Sequence, residues 1–147
     1  MTCAVIAFTR RGALLARRLA DGLGASLHVP PRFAAEADAQ PYTSLEAWTA
    51  GAWSSADALV FVGACGIAVR AIAPHVKDKF TDPAVVSVDE AGAWAVPLLS
   101  GHVGGANDLA RRVAALTRGR AAVSTATGSC ASASAAAKRA ASARLST

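Results

Sequence analysis

Two glycine-rich turns are the parts of this sequence that could bind an anionic ligand. Val62-Gly-Ala-Cys-Gly66 and Ser100-Gly-His-Val-Gly-Gly105 each follow an apolar run and precede a helical pattern. Backbone N–H groups at the start of a helix attract anions, and glycine lets a ligand approach the backbone closely. We expect both turns to open at the same edge of a sheet and to form one binding site. The residues expected to contact a substrate there are Gly63, Gly66, Ser100, Gly101, Gly104, Gly105 and Asn107.

A purely structural role explains either turn equally well. The first turn lacks the third glycine of a dinucleotide fingerprint and the lysine of a P-loop. In the second turn, Ser100 or Asn107 could cap the following helix instead of contacting a substrate. Evidence for catalysis therefore has to come from the polar residues near the turns.

His102 is the leading candidate for acid–base catalysis. It lies among small residues in the second turn, and an imidazole takes or gives a proton near neutral pH. Asp82, Asp89 and Glu90 are carboxylates that could activate water instead. For each of these residues, a solvated position on the surface is the simpler alternative.

Three cations between the turns could pair with carboxylates of a ligand. These are Arg70, Lys77 and Lys79, although the two lysines flank Asp78 and could simply be neutralised by it. A site that mixes such cations with acidic groups could bind carboxylates and also activate water. A purely apolar pocket could do neither.

The cysteines and histidines do not predict a metal site or a disulfide framework. Cys3, Cys65 and Cys130 contain no C-x-x-C pair, and the three histidines lack metal-ligand spacing. A nucleophilic Cys65 at a helix start is conceivable, but a small core residue is the more common role. We expect no metal and no cofactor, and a reducing cytoplasm as the location.

Charge and hydropathy argue against nucleic-acid and membrane partners. The chain has 147 residues and a net charge of +5, but Lys138, Arg139 and Arg144 near the end supply three of those charges. The preceding part is close to neutral and has no basic stripe interleaved with aromatic residues. No apolar run approaches the roughly 18 residues of a membrane span, and the start does not resemble a secretory signal.

Strands alternate with helices along the first 127 residues. This order predicts one α/β domain with a mainly parallel sheet, helices on both faces and a small antiparallel hairpin around Asp89-Glu-Ala-Gly92. Residues 128–147 are rich in Ala and Ser, which predicts a disordered tail or a loosely attached helix. The expected strands are 3–8, 25–29, 58–62, 85–88, 94–96 and 121–124, and the expected helices are 12–23, 44–53 and 67–73. A last helical element is expected to start with Ser100-Gly-His-Val-Gly-Gly-Ala-Asn107 and to carry Leu109, Val113 and Leu116.

The middle of the chain resembles a known family. Phe61-Val-Gly-Ala-Cys-Gly-Ile-Ala-Val-Arg-Ala-Ile-Ala-Pro-His-Val-Lys-Asp-Lys-Phe-Thr-Asp-Pro-Ala-Val-Val-Ser-Val-Asp-Glu90 and Leu98-Leu-Ser-Gly-His-Val-Gly-Gly-Ala-Asn-Asp-Leu109 are similar to the N-terminal part of the CbiG proteins, the cobalt-precorrin-5A hydrolases. The similarity extends over roughly residues 59–127. No single short motif in this segment would identify the family, but the motifs together are specific for it.

The resemblance implies an enzyme of cobalamin biosynthesis. Such a hydrolase opens the ring-A δ-lactone of cobalt-precorrin-5A and releases acetaldehyde, and the cobalt belongs to the substrate. CbiG proteins continue into a second domain, so we expect a truncated, frame-shifted or naturally split form whose C-terminal domain could be a separate chain. Two alternatives remain open, a non-catalytic module that binds a corrin precursor and a nucleotide-binding α/β domain, and the chain could form a homodimer.

Overall fold

A single seven-stranded sheet organises the protein. A computed structural model describes residues 1–125, and the predicted tail at 128–147 lies outside the described residues. The sheet order is β3-β2-β1-β4-β5-β6-β7. The strands are β1 (Cys3–Ala7), β2 (Ser26–Val29), β3 (Gln40–Pro41), β4 (Ala58–Val62), β5 (Ala84–Val88), β6 (Trp94–Leu99) and β7 (Arg120–Ala121).

Helices cover both faces of this sheet. They are α1 (Arg10–Leu23), α2 (Pro31–Ala37), α3 (Leu45–Ser55), α4 (Cys65–Ile72) and α5 (Ala106–Thr117), with a 3₁₀ turn at Ala73–His75. Buried residues of α1, α2 and α5 pack on one face, and those of α3 and α4 on the other. The predicted α/β class with helices on both faces is therefore confirmed. Among the described helices, none is long and apolar enough to cross a membrane.

The central strands are buried on both faces. Every residue of β1, β4 and β5 is buried. Helices on both faces of the sheet leave no solvent-facing positions in these strands, and for this reason their sequences are almost continuously apolar. Such strands form a rigid base from which the loops at the two edges of the sheet project.

Helices α1 and α3 begin at capping side chains. The hydroxyl of Thr9 accepts a hydrogen bond from the amide of Gly12, and Ser44 does the same for Ala47. Each bond satisfies one of the amides that a first helical turn leaves without a partner. The expected cap at Ser44 is confirmed.

The hairpin between β5 and β6 reverses the direction of the sheet. Strands β1, β2, β3, β4 and β5 are parallel, whereas β6 pairs antiparallel with β5, with Ala95 opposite Val88 and Leu99 opposite Val85. The carboxylate of Asp89 accepts hydrogen bonds from the amides of Ala91 and Trp94, which closes the predicted turn. We call the edge where β4 and β5 end the carboxyl edge, and the edge where they begin the amino edge.

Candidate functional site

The two glycine-rich turns lie at opposite edges of the sheet. Gly63 follows the end of β4 at the carboxyl edge, whereas Ser100 follows the end of β6, beside the start of β5 at the amino edge. The expectation that both turns form one site is wrong, because β6 runs antiparallel to β5. It leaves Gly63, Gly66, Asp89 and Glu90 near one edge and places Lys77, Lys79, Asp82, Ser100, Gly101, His102, Gly104, Gly105 and Asn107 near the other.

A cleft of about 500 Å³ opens at the carboxyl edge. It lies where β1 and β4 adjoin and where the chain turns outward in both directions, the position at which open α/β sheets bind ligands. Only Gly63, Asp89 and Glu90 of its lining were named from the sequence. Its full lining is Phe8, Thr9, Arg11, Gly63, Ala64, Ile67, Asp89, Glu90 and Ala91.

A carboxylate of the protein itself occupies the start of α1 in this cleft. The hydroxyl of Thr9 donates to Glu90, and a Cβ placed on Gly12 would lie 3.6 Å from Cγ of Glu90. Asp89 is engaged in the hairpin turn. The first turn of α1 therefore faces a negative charge already, which opposes the binding of a phosphate there.

The amino-edge loop 76–83 is held by Asp82. This residue is 8% exposed, and its carboxylate accepts hydrogen bonds from the amides of Lys77 at 2.8 Å and Asp78 at 3.1 Å. The carboxylate of Asp78 in turn accepts from the amide of Phe80. Buried and hydrogen-bonded in this way, Asp82 orders the loop, and its role in activating water stays a prediction.

The amino-edge loop 100–105 is tightly folded against the start of α5. A Cβ on Gly101 would lie 2.6 Å from Oδ1 of Asn107, and a Cβ on Gly104 would lie 2.5 Å from Cβ of Ser100. Gly105 has a φ of 84°, which glycine adopts without steric cost. Close packing therefore favours glycine at positions 101 and 104, and the positive φ favours it at position 105.

The start of α5 has no free amides at its first two positions. The amides of Ala106 and Asn107 donate to the carbonyls of Ser100 and Gly101, and no side chain caps this helix. The predicted binding of a ligand by these amides thus has little support in the geometry. The alternative that Ser100 or Asn107 caps the helix through its side chain is also wrong, since Gly105 is the residue at the cap position.

Basic side chains at and near the amino edge are exposed to solvent. Lys77, Lys79 and His102 are exposed, as is Arg70 in the last turn of α4. Within residues 1–125, no ion pair involves Arg70, Lys77 or Lys79. Nζ of Lys79 lies 5.0 Å from the centre of the Phe80 ring. These cations can therefore pair with an incoming carboxylate.

Burial distinguishes the remaining reactive side chains. It raises the pKa of the Cys3 thiol to about 11, and it lowers the pKa of His28, whose ring lies 5.5 Å from that of Trp48. A raised thiol pKa and a lowered imidazole pKa are both the expected effects of desolvation, because burial disfavours the charged form. In the described part of the chain, no group of three His, Cys, Asp or Glu side chains could hold a metal ion.

The sheet order and the helices on both of its faces define an open α/β domain, and comparison identifies its family. Residues 47–128 match the family described as Cobalamin synthesis G N-terminal. The chain belongs to this CbiG N-terminal family.

Relatives of known name agree with this family. The chain is 43% identical over 125 residues to a cobalt-precorrin-5A hydrolase of Salmonella typhimurium, covering 84% of this chain and 35% of that protein. A hydrolase of the same name from Priestia megaterium is 50% identical over 68 residues, covering 46% of this chain and 18% of that protein. The chain spans about a third of the length of the Salmonella protein.

A solved structure shares the fold. It is that of a cobalamin biosynthesis protein G homologue from Sulfolobus solfataricus, with a TM-score of 0.66 and 25% sequence identity. The likeness covers 84% of this chain and 36% of that one. The two hydrolases and the solved structure all match this chain over only part of their own length.

Proposed function

We propose that this chain is the N-terminal part of a cobalt-precorrin-5A hydrolase, which opens the ring-A δ-lactone and releases acetaldehyde. The observation that carries the proposal is the 43% identity to the Salmonella enzyme over 84% of the chain. A match of that extent necessarily includes both amino-edge loops, 76–83 and 100–105. The substrate is a cobalt-bearing macrocycle fringed with carboxylate side chains, and the cobalt arrives with it.

His102 is the proposed general base of lactone opening. Its ring is exposed and makes no hydrogen bond to another described residue, so a nitrogen is free to accept a proton from water. The water oxygen attacks the lactone carbonyl carbon, the ring C–O bond breaks, and the products of this step are a carboxylate and a hydroxyl group. Such base assistance contributes about 10²- to 10⁴-fold to a rate.

Lys77, Lys79 and Arg70 are proposed to pair with carboxylates of the substrate. They are exposed cations without an ion-pair partner in residues 1–125, on or near the edge that carries His102. Asp82 supports the same site indirectly, since its buried carboxylate fixes the loop from which both lysines project. Asp89 and Glu90 are not part of it, because they lie at the other edge.

The two alternative functions have less support. A nucleotide in the carboxyl-edge cleft would place its phosphates near Glu90, which is hydrogen-bonded to Thr9 beside the start of α1. No observation favours a corrin-binding module without catalysis. His102 is exposed in this part of the protein, and we propose that the remaining two thirds of a full-length hydrolase, in the same chain or a second one, complete the walls of the site around it.

A chimeric enzyme tests the proposal. In the Salmonella typhimurium hydrolase, the matched third is replaced by residues 1–125 of this chain, and acetaldehyde release from cobalt-precorrin-5A is measured. We expect a rate within about tenfold of the parent enzyme. A folded chimera that binds the substrate but releases no acetaldehyde would refute the hydrolase assignment and favour the non-catalytic module.

A further inference from the structure

Large apolar side chains are exposed at the amino edge. Phe80 is 65% exposed, Val103 is 59% exposed and Val76 is 43% exposed. A single exposed apolar side chain is ordinary on a protein surface. These three, however, belong to two loops that are hydrogen-bonded to each other, and we call them the apolar platform.

Phe80 and Val103 lie close in sequence to the hydrogen bond that joins the two loops, which we call the junction. The hydroxyl of Ser100 donates to the carbonyl of Asp82, and Phe80 precedes Asp82 by two residues. Gly104 packs directly on Ser100, so its neighbour Val103 is one residue from the same junction. At about 3.8 Å between consecutive Cα atoms, Phe80 lies within about 8 Å of Asp82, whereas Val103 is next to Gly104, which contacts Ser100.

The platform is fixed in place before any ligand arrives. The buried carboxylate of Asp82 holds the amides on one loop, and close packing at Gly101 and Gly104 holds the other. Ordered loops lose less conformational entropy on binding than mobile ones. Exposed apolar groups on such loops are therefore suited to binding, since their exposure does not result from local disorder.

Cations flank the platform. Lys77 and Lys79 lie on either side of Asp78 in the loop that carries Phe80, and Nζ of Lys79 is 5.0 Å from the Phe80 ring. Asp78 is partly engaged, because its carboxylate accepts from the amide of Phe80. The surface thus combines an apolar centre with a positively charged margin.

We propose that the apolar platform binds one face of the tetrapyrrole macrocycle, with Lys77 and Lys79 pairing with its peripheral carboxylates. The inference rests on the proposed function for the identity of the ligand. A macrocycle of this class offers a flat apolar face and a rim of carboxylates, which complements the exposed apolar side chains and the two lysines in polarity and charge. His102 is adjacent to Val103 in the chain, so a macrocycle on the platform would lie beside the proposed base.

Titration of the 147-residue chain with a corrin tests the platform. The probe is dicyanocobyrinic acid, which has free carboxylates, and binding is followed by its visible absorption. We expect Phe80→Ser and Val103→Ser each to weaken binding by about tenfold or more, because burial of either side chain is lost. Leu14→Ser is the matched control, since Leu14 is 49% exposed on α1 and should leave binding unchanged.

The fully esterified probe separates the charged margin from the apolar centre. Replacing Lys77 and Lys79 together by Glu should weaken binding of the free acid by at least tenfold and leave binding of the ester nearly unchanged. Thermal unfolding of each variant shows whether it is folded. Equal weakening for both probes by a folded lysine variant would contradict the assigned role of the two cations.

The outcomes separate the platform from the proposed function. If the chimera releases acetaldehyde but the chain binds no corrin, or binds it equally well with Phe80→Ser and Val103→Ser, the platform is wrong and the function stands. If Phe80→Ser slows the chimera but leaves corrin binding by the chain unchanged, the platform packs against the rest of the enzyme and the inference is overturned. If the chimera is inactive and the chain binds no corrin, both are wrong.

Discussion

The hydroxyl of Ser100 donates a hydrogen bond of 3.2 Å to the backbone carbonyl of Asp82. It joins two loops that are separated by a complete hairpin in the sequence. Since the carboxylate of the same Asp82 orders one loop, and Ser100 packs on Gly104 in the other, a disturbance at either residue should reach both. The proposed base and the proposed cations depend on this connection.

Removing the Asp82 carboxylate should destabilise the protein. In Asp82→Ala, the amides of Lys77 and Asp78 lose a charged acceptor, at a cost of about 1–3 kcal/mol. Urea unfolding measures this change. Asp21→Ala is the control, since it removes an exposed ion pair with Arg17 that contributes about 0.5 kcal/mol or less; equal losses in the two variants would show that Asp82 does not hold the loop.

Adding one methyl group at Gly104 should be costly. A Cβ there would lie 2.5 Å from Cβ of Ser100, so Gly104→Ala should lower the free energy of unfolding by about 1–3 kcal/mol. Gly66→Ala is the matched control, because no atom lies within 4 Å of its Cβ position and α4 should gain up to about 1 kcal/mol. Urea midpoints of the two variants should therefore move in opposite directions, and a shift to higher urea for Gly104→Ala would be incompatible with the tight loop.

His28 should make stability depend on pH. Burial lowers its pKa from 6.5, so below pH 6.5 the unfolded chain binds more protons than the native protein. Its contribution to stability is thus constant above pH 6.5 and decreases as the pH falls through 6.5 toward the lowered pKa. His28→Gln should reduce the loss of urea stability between pH 7 and pH 5; identical pH profiles for wild type and His28→Gln would argue against a half-buried neutral imidazole.

The thiols of Cys3 and Cys65 should differ in reactivity. Cys3 is buried and its pKa is raised to about 11, so little thiolate forms at pH 8. Cys65 is partly exposed at the start of α4. In labelling with a disulfide reagent on the native protein, Cys65→Ser should remove a fast phase, whereas Cys3→Ser should leave the fast phases intact; a fast phase lost with Cys3→Ser would show that the first strand is accessible.

The sequence was sufficient for the fold class because local signals agreed with tertiary structure. Continuous apolar runs became buried strands at β1, β4 and β5, and Asp89 formed the expected hairpin turn. Helix α2 and strand β3 were not predicted, since α2 has only seven residues with Ala37 as its one buried side chain, and β3 has two residues. Such short elements depend on neighbours that a sequence pattern does not show.

The arrangement of the site was harder to predict than its residues. The sequence predicts the hairpin, but the edge at which the next turn lies depends on the antiparallel pairing, and β6 carries Ser100 to the edge opposite Gly63. The sequence pattern also gives no signal for Phe80 and Val103, because an apolar residue in a loop can be either buried or exposed. Their exposure became evident only when the hydrogen bonds of Asp82 and the packing of Gly104 fixed both loops.

Acetaldehyde release by two variants of the chimera tests the central claim that the chemistry belongs to the amino edge. His102→Ala should reduce the rate by about 10²-fold or more, while Glu90→Gln, at the carboxyl edge, should change it by less than about fivefold. The reverse pattern, in which Glu90→Gln abolishes acetaldehyde release and His102→Ala leaves it intact, would contradict the account and place the reaction in the cleft between β1 and β4.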